Sequence, residues 1–314
     1  METADEVIRT VSIYRRVVVP LDGSKLAENA LPHVKALIGG RESVVHLVSV
    51  ISPVREFVIS SFNHHEDRSA STYLQEVAGQ LRPLASEVQV AVRHGRQADE
   101  ILAFAKSVQA DLIVMSSHGR SGIGQWIFGS VADRVLRAAT CPVFLVRSEQ
   151  SVERPSYRRI VVPLDGSEQA EQVIPFVGAL VTADDTMVYL VSVLTAGVGD
   201  RTVALLTSYP PGLSLATTAL HHARIQLNTY LRSVAAPLRR KGAVVHIVIK
   251  EGSPAEEVLD YAEEVNADLI GMTSHGFSNL KRWAYGNVAG RILQGAQSPV
   301  LLVRPTADSR TECA

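Results

Sequence analysis

Two carboxylates and two glycine-bounded loops are the residues of this chain whose types and spacing can do chemistry. Asp22 in Pro20-Leu-Asp-Gly-Ser24 and Asp165 in Pro163-Leu-Asp-Gly-Ser167 each follow a short Val-rich run. A carboxylate at such a place can accept hydrogen bonds from the hydroxyl groups of a ligand, or it can simply shape the turn. Ser24 and Ser167, two residues on, read as N-caps of the helix that follows. The second feature is Ser116-Ser-His-Gly119, nine residues, then Gly129-Ser130 at the start of a helical pattern; it returns as Thr273-Ser-His-Gly276, nine residues, Gly286-Asn287. Glycine lets backbone amides close on a polyphosphate, and a helix start adds unpaired N–H groups and the positive end of the dipole. Gly119, Gly129, Ser130, Gly276, Gly286 and Asn287 are therefore candidate anion ligands, with capping of the helix as the other use of Ser130 and Asn287.

Other reactive residue types read as structural. His118 and His275 flank the glycine loops without a visible nucleophile partner, which favours loop packing or a phosphate hydrogen bond over a general base. The pairs His64-His65 and His221-His222 put neighbouring side chains about 100° apart on a helix, so neither pair makes one chelating face, and a surface or loop role is the expectation. Trp126 and Trp283 lie within the nine-residue loops and read as packing residues. Cys141 precedes an apolar run and Cys313 lies in a polar tail. Two such cysteines form no disulfide framework or metal cluster and suit a reducing compartment.

The features come twice because the chain is a duplication. Arg16-Val-Val-Val-Pro-Leu-Asp-Gly-Ser24 and Arg159-Ile-Val-Val-Pro-Leu-Asp-Gly-Ser167 agree at eight of nine positions, and residues 94–147 match 251–304 at 27 of 54. The offset is 143 at the start and 157 later, so the second copy carries 14 extra residues. They fall between Val193 and His221, in a Gly- and Pro-containing stretch that reads as a lengthened loop. Domain one is expected over 13–148 and domain two over 157–305, joined by the polar linker Ser148 to Tyr157. The ends, Met1 to about Ser12 and Pro305 to Ala314, are expected to be poorly ordered.

Within each copy, short Val/Ile/Leu runs alternate with segments whose apolar residues recur at three and four. In the first copy the strands are expected at Arg16 to Leu21, Val44 to Val50, Val88 to Arg93, Leu112 to Ser116 and Val143 to Arg147. Their apolar character is that of strands buried on both faces, hence an α/β fold with an open parallel sheet flanked by helices. Pro32 and Pro175, inside the first helix of each copy, are expected to kink or shorten it.

Composition excludes several function classes. The net charge of -1, from 31 basic and 32 acidic residues, leaves no electrostatic footprint for nucleic acid or an anionic membrane. No apolar run approaches the roughly 18 residues of a membrane span, and the first residues are acidic, unlike a secretory leader. A cytoplasmic protein is the expectation. There is no Gly-Lys-Ser/Thr of a P-loop, and Pro20-Leu-Asp-Gly-Ser24 departs from the Ser-Gly-Gly-x-Asp-Ser loop of the ATP pyrophosphatases.

Asp22 after the first strand, the nine-residue glycine-bounded loop with Ser-His-Gly in it, and the Cys141-Pro-Val strand together resemble the universal stress protein family, over both copies nearly end to end. The resemblance implies two tandem five-stranded parallel sheets of Rossmann-like, adenine nucleotide α-hydrolase-like type, with ATP, carried with Mg2+, as ligand in the binding subgroup. It also implies pairing of domains through the final strand, which in a tandem chain is internal, with a homodimer as a further option. Carried over by position, adenine contacts fall on Val50 and Met115, ribose contacts on Asp22 and Ser116, and phosphate contacts on Gly119, Gly129, Ser130 and Val131. The second set is Val193, Met272, Asp165, Thr273, Gly276, Gly286, Asn287 and Val288. Ser116 and Thr273 stand where the family pattern opens on glycine, Asn287 replaces a Ser/Thr, and Phe277 stands where the first copy has Arg120. Lys281 and Arg282 read as a solvated loop face, so the first site is expected to be the better one. The implied role is a nucleotide-dependent binding or regulatory module in the stress response with no assigned catalytic residue. A slow ATP hydrolase or phosphotransfer protein and a nucleotide-free dimerising scaffold are the alternatives.

Overall fold

A computed structural model describes residues 14–38, 42–52, 63–117, 129–147, 153–182, 185–195, 213–276 and 286–305, with main chain only at 63–66 and 213–220. The first copy runs β1 (Arg16–Pro20), α1 (Lys25–Glu28), α2 (Ala30–Leu37), β2 (Val44–Ile51), α3 (Asn63–Leu81), β3 (Glu87–His94), α4 (Gln97–Ser107), β4 (Leu112–Ser116), α5 (Ser130–Ala138) and β5 (Val143–Val146). The second repeats it as β6 (Arg159–Pro163), α6 (Glu168–Glu171), α7 (Ile174–Gly178), β7 (Met187–Leu194), α8 (Leu213–Arg240), β8 (Val244–Glu251), α9 (Pro254–Glu264), β9 (Leu269–Thr273), α10 (Asn287–Gly295) and β10 (Val300–Val303).

The two prolines explain why the first helix of each copy comes in two pieces. A proline has no N–H for the carbonyl four residues back and its ring crowds that carbonyl. For Pro32 and Pro175 those carbonyls belong to Glu28 and Glu171, where α1 and α6 end. Each proline then sits in the first turn of the next piece, where no donor is missed.

All ten strands form one sheet in the order β3-β2-β1-β4-β5-β10-β9-β6-β7-β8. Each copy is parallel within itself, and the copies join antiparallel through their last strands, Val143 opposite Leu302, Phe144 opposite Leu301 and Leu145 opposite Val300. The carboxyl ends of the two sets of strands therefore point in opposite directions along the sheet. The helices divide by face. One apolar layer gathers α1 to α3 and α6 to α8 and the other α4, α5, α9 and α10, and each layer is continuous across both copies.

Continuous burial holds for the central strands but not for β3, whose residues are all exposed or half-buried, nor for β8, where Val245 alone is buried. Both are edges of the sheet, and Val88-Gln-Val-Ala-Val-Arg93 carries the alternation of a strand with one wet face. The extra residues of the second copy are not all loop. Helix α8 begins at Leu213, directly after Pro210-Pro211-Gly212, and has 28 residues against 19 in α3. At the far end Pro305 is buried, while 306–314 and 1–13 lie outside the described residues.

The junction between the copies has pseudo-twofold contacts. Tyr14 precedes β1 and Tyr157 holds the matching place before β6. Tyr14 Oη donates to the carbonyl of Phe176 in the second copy at 3.5 Å, while Tyr157 Oη meets His33 Nδ1 in the first at 3.0 Å. Phe144, fully buried, lies 5.6 Å from the Tyr157 ring and 5.7 Å from that of His33. Phe144→Ala is expected to cost about 3–5 kcal/mol, the range for an aromatic cavity in a core that cannot collapse. Urea unfolding measures it, and a loss below about 1 kcal/mol would mean that the junction repacks.

Candidate functional site

Within each copy the strand order reverses direction between β1 and β4, or β6 and β9, and in parallel sheets that switch point opens a crevice beyond the strand ends. The two strands pair over their first halves, Val17 with Leu112 and Val18 with Ile113, and Ile160 with Leu269 and Val161 with Ile270. The chain after β1 is held down by the Leu21 N–H donating to Val48 O, and after β6 by Leu164 N–H donating to Val191 O, both at 2.8 Å.

The aspartate turn follows. Asp22 Oδ1 accepts the Ser24 N–H at 2.9 Å; Asp165 Oδ1 accepts the Ser167 N–H at 3.0 Å and its hydroxyl at 2.6 Å. The turn bends through Gly23 at φ 79° and Gly166 at φ 87°, a left-handed conformation that suits glycine. Ser24 and Ser167 cap α1 and α6 as expected, each Oγ accepting an N–H at 3.1 Å, from Ala27 and Ala170. Both roles weighed for the aspartates therefore bear on one group: the turn uses Oδ1, and the carboxylate sits at the mouth of the crevice. Ser167→Ala is expected to cost about 1 kcal/mol, read by denaturant unfolding, because the cap and the tie to Asp165 go together; an unchanged midpoint would show the cap to be idle.

The other wall is the end of strand four and the helix that returns to it. Ser117 N–H donates to Val146 O at 2.8 Å and the Ser117 carbonyl accepts from Gly129 N–H at 3.0 Å. The second copy repeats both bonds, Ser274 to Val303 at 2.8 Å and Gly286 to Ser274 at 2.9 Å. These main-chain ties, invisible in residue types, set the starts of α5 and α10 against the strand ends. Gly129 and Gly286 are themselves the N-caps, with extended ψ of 143° and 159° and carbonyls accepting from Asp133 and Gly290. Ser130 and Asn287 are thus the first helical residues, exposed and one position too late to cap; neither helix has a side-chain cap bond. The capping use of these two residues is corrected by that phase, and the first N–H groups of each helix have no intrahelical acceptor.

In the second copy the crevice closes on itself at one point. A Cβ added at Gly276 would collide with the Asp165 carboxylate, so the loop backbone passes directly over that side chain. Thr273 Oγ1 donates to His275 O at 2.9 Å, and Ser274 Oγ lies 3.1 Å from His275 Nδ1, so His275 is engaged within the loop. Val50 and Val193 are half-buried at the ends of β2 and β7, Met115 and Met272 are buried beneath them, and Ser116 and Thr273 are 7% and 8% exposed. Val131 is half-buried and Val288 exposed at 41%. Gly119, His118, Arg120, Trp126, Phe277, Lys281, Arg282 and Trp283 lie outside the described residues.

Sequence reasoning passed over Tyr230. Burial first, then the Glu171 carboxylate and that of Asp165, hold its hydroxyl proton well above the usual tyrosine range. Its counterpart by the repeat offset is Tyr73, a signal that was available. His221 and His222 are exposed, as expected, and burial pushes the Cys141 thiol up to about 11, which leaves it unreactive.

The profile of the universal stress protein family matches residues 13–147 and 156–304. A universal stress protein of Methanocaldococcus jannaschii is 30% identical over 146 residues, 43% of this chain and 84% of its own length. One from Bacillus subtilis is 28% identical over 148 residues, 43% of this chain and all of its own. The crystal structure of a universal stress protein from Archaeoglobus fulgidus superposes with a TM-score of 0.69 at 20% identity, over 94% of this chain and 99% of that one, a likeness of fold. With a family domain at each half and the same aspartate turn and helix start in both, this chain belongs to the universal stress protein family.

Proposed function

We propose that each copy binds one adenine nucleotide, ATP carried with Mg2+, and that the chain serves as a nucleotide-dependent binding or regulatory module of the stress response in the cytoplasm. The observation that supports this most is the crevice at the β1/β4 and β6/β9 switch points, where an aspartate turn faces a helix start whose cap is glycine. The aspartate suits ribose hydroxyls, and the N–H groups of residues 130–132 and 287–289 suit phosphate oxygens. Gly276 fits the same reading, since its missing Cβ is what allows the loop to lie on Asp165. Among the described residues no three His, Cys, Asp or Glu side chains gather into a metal cage. Mg2+ would therefore arrive with the phosphates and keep waters of its own, as is usual for this ion. No helix among the described residues is long and apolar enough to cross a membrane.

The test is to release and identify any nucleotide carried by the purified protein and to titrate it with ATP and Mg2+. Two adenine nucleotides per chain are expected. No nucleotide and no heat on titration would overturn the proposal and leave a scaffold built on the β5/β10 junction.

A further inference from the structure

The two copies differ between their second and third helices. In the first, Lys35 on α2 bridges to α3, donating from Nζ to Gln80 Oε1 at 3.4 Å. By the repeat offsets these positions are Gly178 on α7 and Pro237 on α8. Neither residue carries a group that could span the helices, and a groove of about 350 Å³ opens there, with Ile174, Val234 and Leu238 as its apolar floor.

The two ends of the groove differ in charge. At one end stands Glu171, the last residue of α6. Tyr230 Oη is shielded from solvent and aligned with no acceptor, and the Glu171 carboxylate helps to hold its proton on, which sets Glu171 beside Tyr230. Ser233, one turn further along α8, adds a second acceptor, because Pro237 has no N–H to offer its carbonyl. At the other end Lys241 Nζ donates to the Gly178 carbonyl at 3.0 Å, and an ammonium has further N–H donors to give. Arg239 takes no part, since its guanidinium turns to the Val245 carbonyl at 3.0 Å. Leu238 lies against Gly178, so the ends are marked on α8 by Tyr230 and Leu238, eight residues or about 12 Å of helix apart. In the first copy Leu84 holds the place of Lys241 and Glu76 that of Ser233, so the basic end is missing as well as the opening.

We propose that the groove between α7 and α8 of the second copy binds a small molecule that carries an ammonium at one end, a carboxylate at the other and an unbranched apolar chain between them. The ammonium meets Glu171 and the Ser233 carbonyl, the carboxylate meets Lys241, and the chain lies on Ile174, Val234 and Leu238. Both charges of the groove are answered, and the spacing of its ends selects chain length. The site requires no nucleotide, so it stands or falls apart from the proposed function.

Calorimetric titration of the full chain with 8-aminooctanoate, 4-aminobutanoate, octanoate and octylamine tests it, with backbone amide NMR shifts to locate the binding. The first of these is expected to bind at least about tenfold tighter than each of the others, which lack one charged contact or the length to make both. Shifts are expected at residues 171–178 and 230–241. Glu171→Gln and Lys241→Met should each weaken 8-aminooctanoate about tenfold. Gly178→Leu should abolish its binding, because the new side chain fills the groove and has chiefly the flexible end of Lys241 to displace. Unchanged amide shifts in β6 to β9 mark an intact fold in each variant. No heat and no shift with 8-aminooctanoate, or octanoate binding as tightly, would overturn the proposal. So would binding that survives Gly178→Leu, or groove shifts that grow with protein concentration before any ligand is added, which assign the groove to a second copy of the chain.

Discussion

Gly276→Ala is expected to reduce bound ATP from two per chain to one. The cause is space rather than backbone strain, since Gly276 lies outside the left-handed region that favours glycine. Its added methyl would occupy the volume of the Asp165 carboxylate, and that side chain is fixed by bonds to both the amide and the hydroxyl of Ser167. The strain would be relieved by moving the loop away from the aspartate, which separates the proposed ribose contact from the proposed phosphate contacts. Weakening of the second site by about a hundredfold, ~3 kcal/mol, is the expected scale. The first site should be unaffected, because antiparallel pairing of β5 with β10 makes the two crevices open beyond opposite ends of the strands. Calorimetric titration with ATP and Mg2+ gives both stoichiometry and affinity. Two undiminished sites in Gly276→Ala would mean that Asp165 and this loop do not act on one ligand, and the assignment of Gly276 would fall.

How much of this was legible in the sequence can be judged residue by residue. The short Val/Ile/Leu runs placed every strand of the first copy within one residue of where it lies, and Pro32 and Pro175 foretold the broken helices, because those signals are local. The reading of Val88 to Arg93 as a strand buried on both faces is corrected, because β3 is an edge of the sheet and none of its residues is buried. The site was legible as residue types: the aspartates follow the first strand of each copy, Gly129 and Gly286 stand at the helix starts and the two serines cap as expected. Its main-chain ties were not, since the bonds from Gly129 to Ser117 and from Gly286 to Ser274 use atoms every residue possesses. The phase error at Ser130 and Asn287 has the same origin. A glycine followed by a serine or asparagine offers two N-caps in sequence, and only the carbonyl that accepts the first helical bond decides between them. The junction was beyond local pattern altogether, because Tyr14 meets Phe176 162 residues away and His33 meets Tyr157 at a separation of 124.

That junction leads to the second large expected effect, a loss of stability of about 3 kcal/mol as pH falls from 6.5 to 4. His33 is 2% exposed between Phe144 and Tyr157, and burial pushes its imidazole down from 6.5 to about 4. The unfolded chain therefore takes up a proton near pH 6.5 that the folded chain refuses until about pH 4. The contribution of the neutral ring is complete above 6.5 and is lost progressively down to 4, at 1.36 kcal/mol per unit for a single full proton. His46 is pushed the same way by burial and adds to the slope. Because carboxylates titrate in the lower part of this window, the informative quantity is the difference between wild type and His33→Phe, which installs the residue that the second copy carries at position 176. At pH 7 the variant is expected to be about 1–2 kcal/mol less stable, since the buried Tyr157 hydroxyl loses its partner. Toward pH 4 the two curves should converge and cross. Tyr157→Phe, which removes the hydroxyl but keeps the imidazole buried, should retain most of the wild-type slope. Urea midpoints at pH 7, 6, 5 and 4 separate these cases. Parallel curves for wild type and His33→Phe would show that the proton is taken up elsewhere, while convergence would mark the junction of the two copies as the acid-sensitive part of the fold.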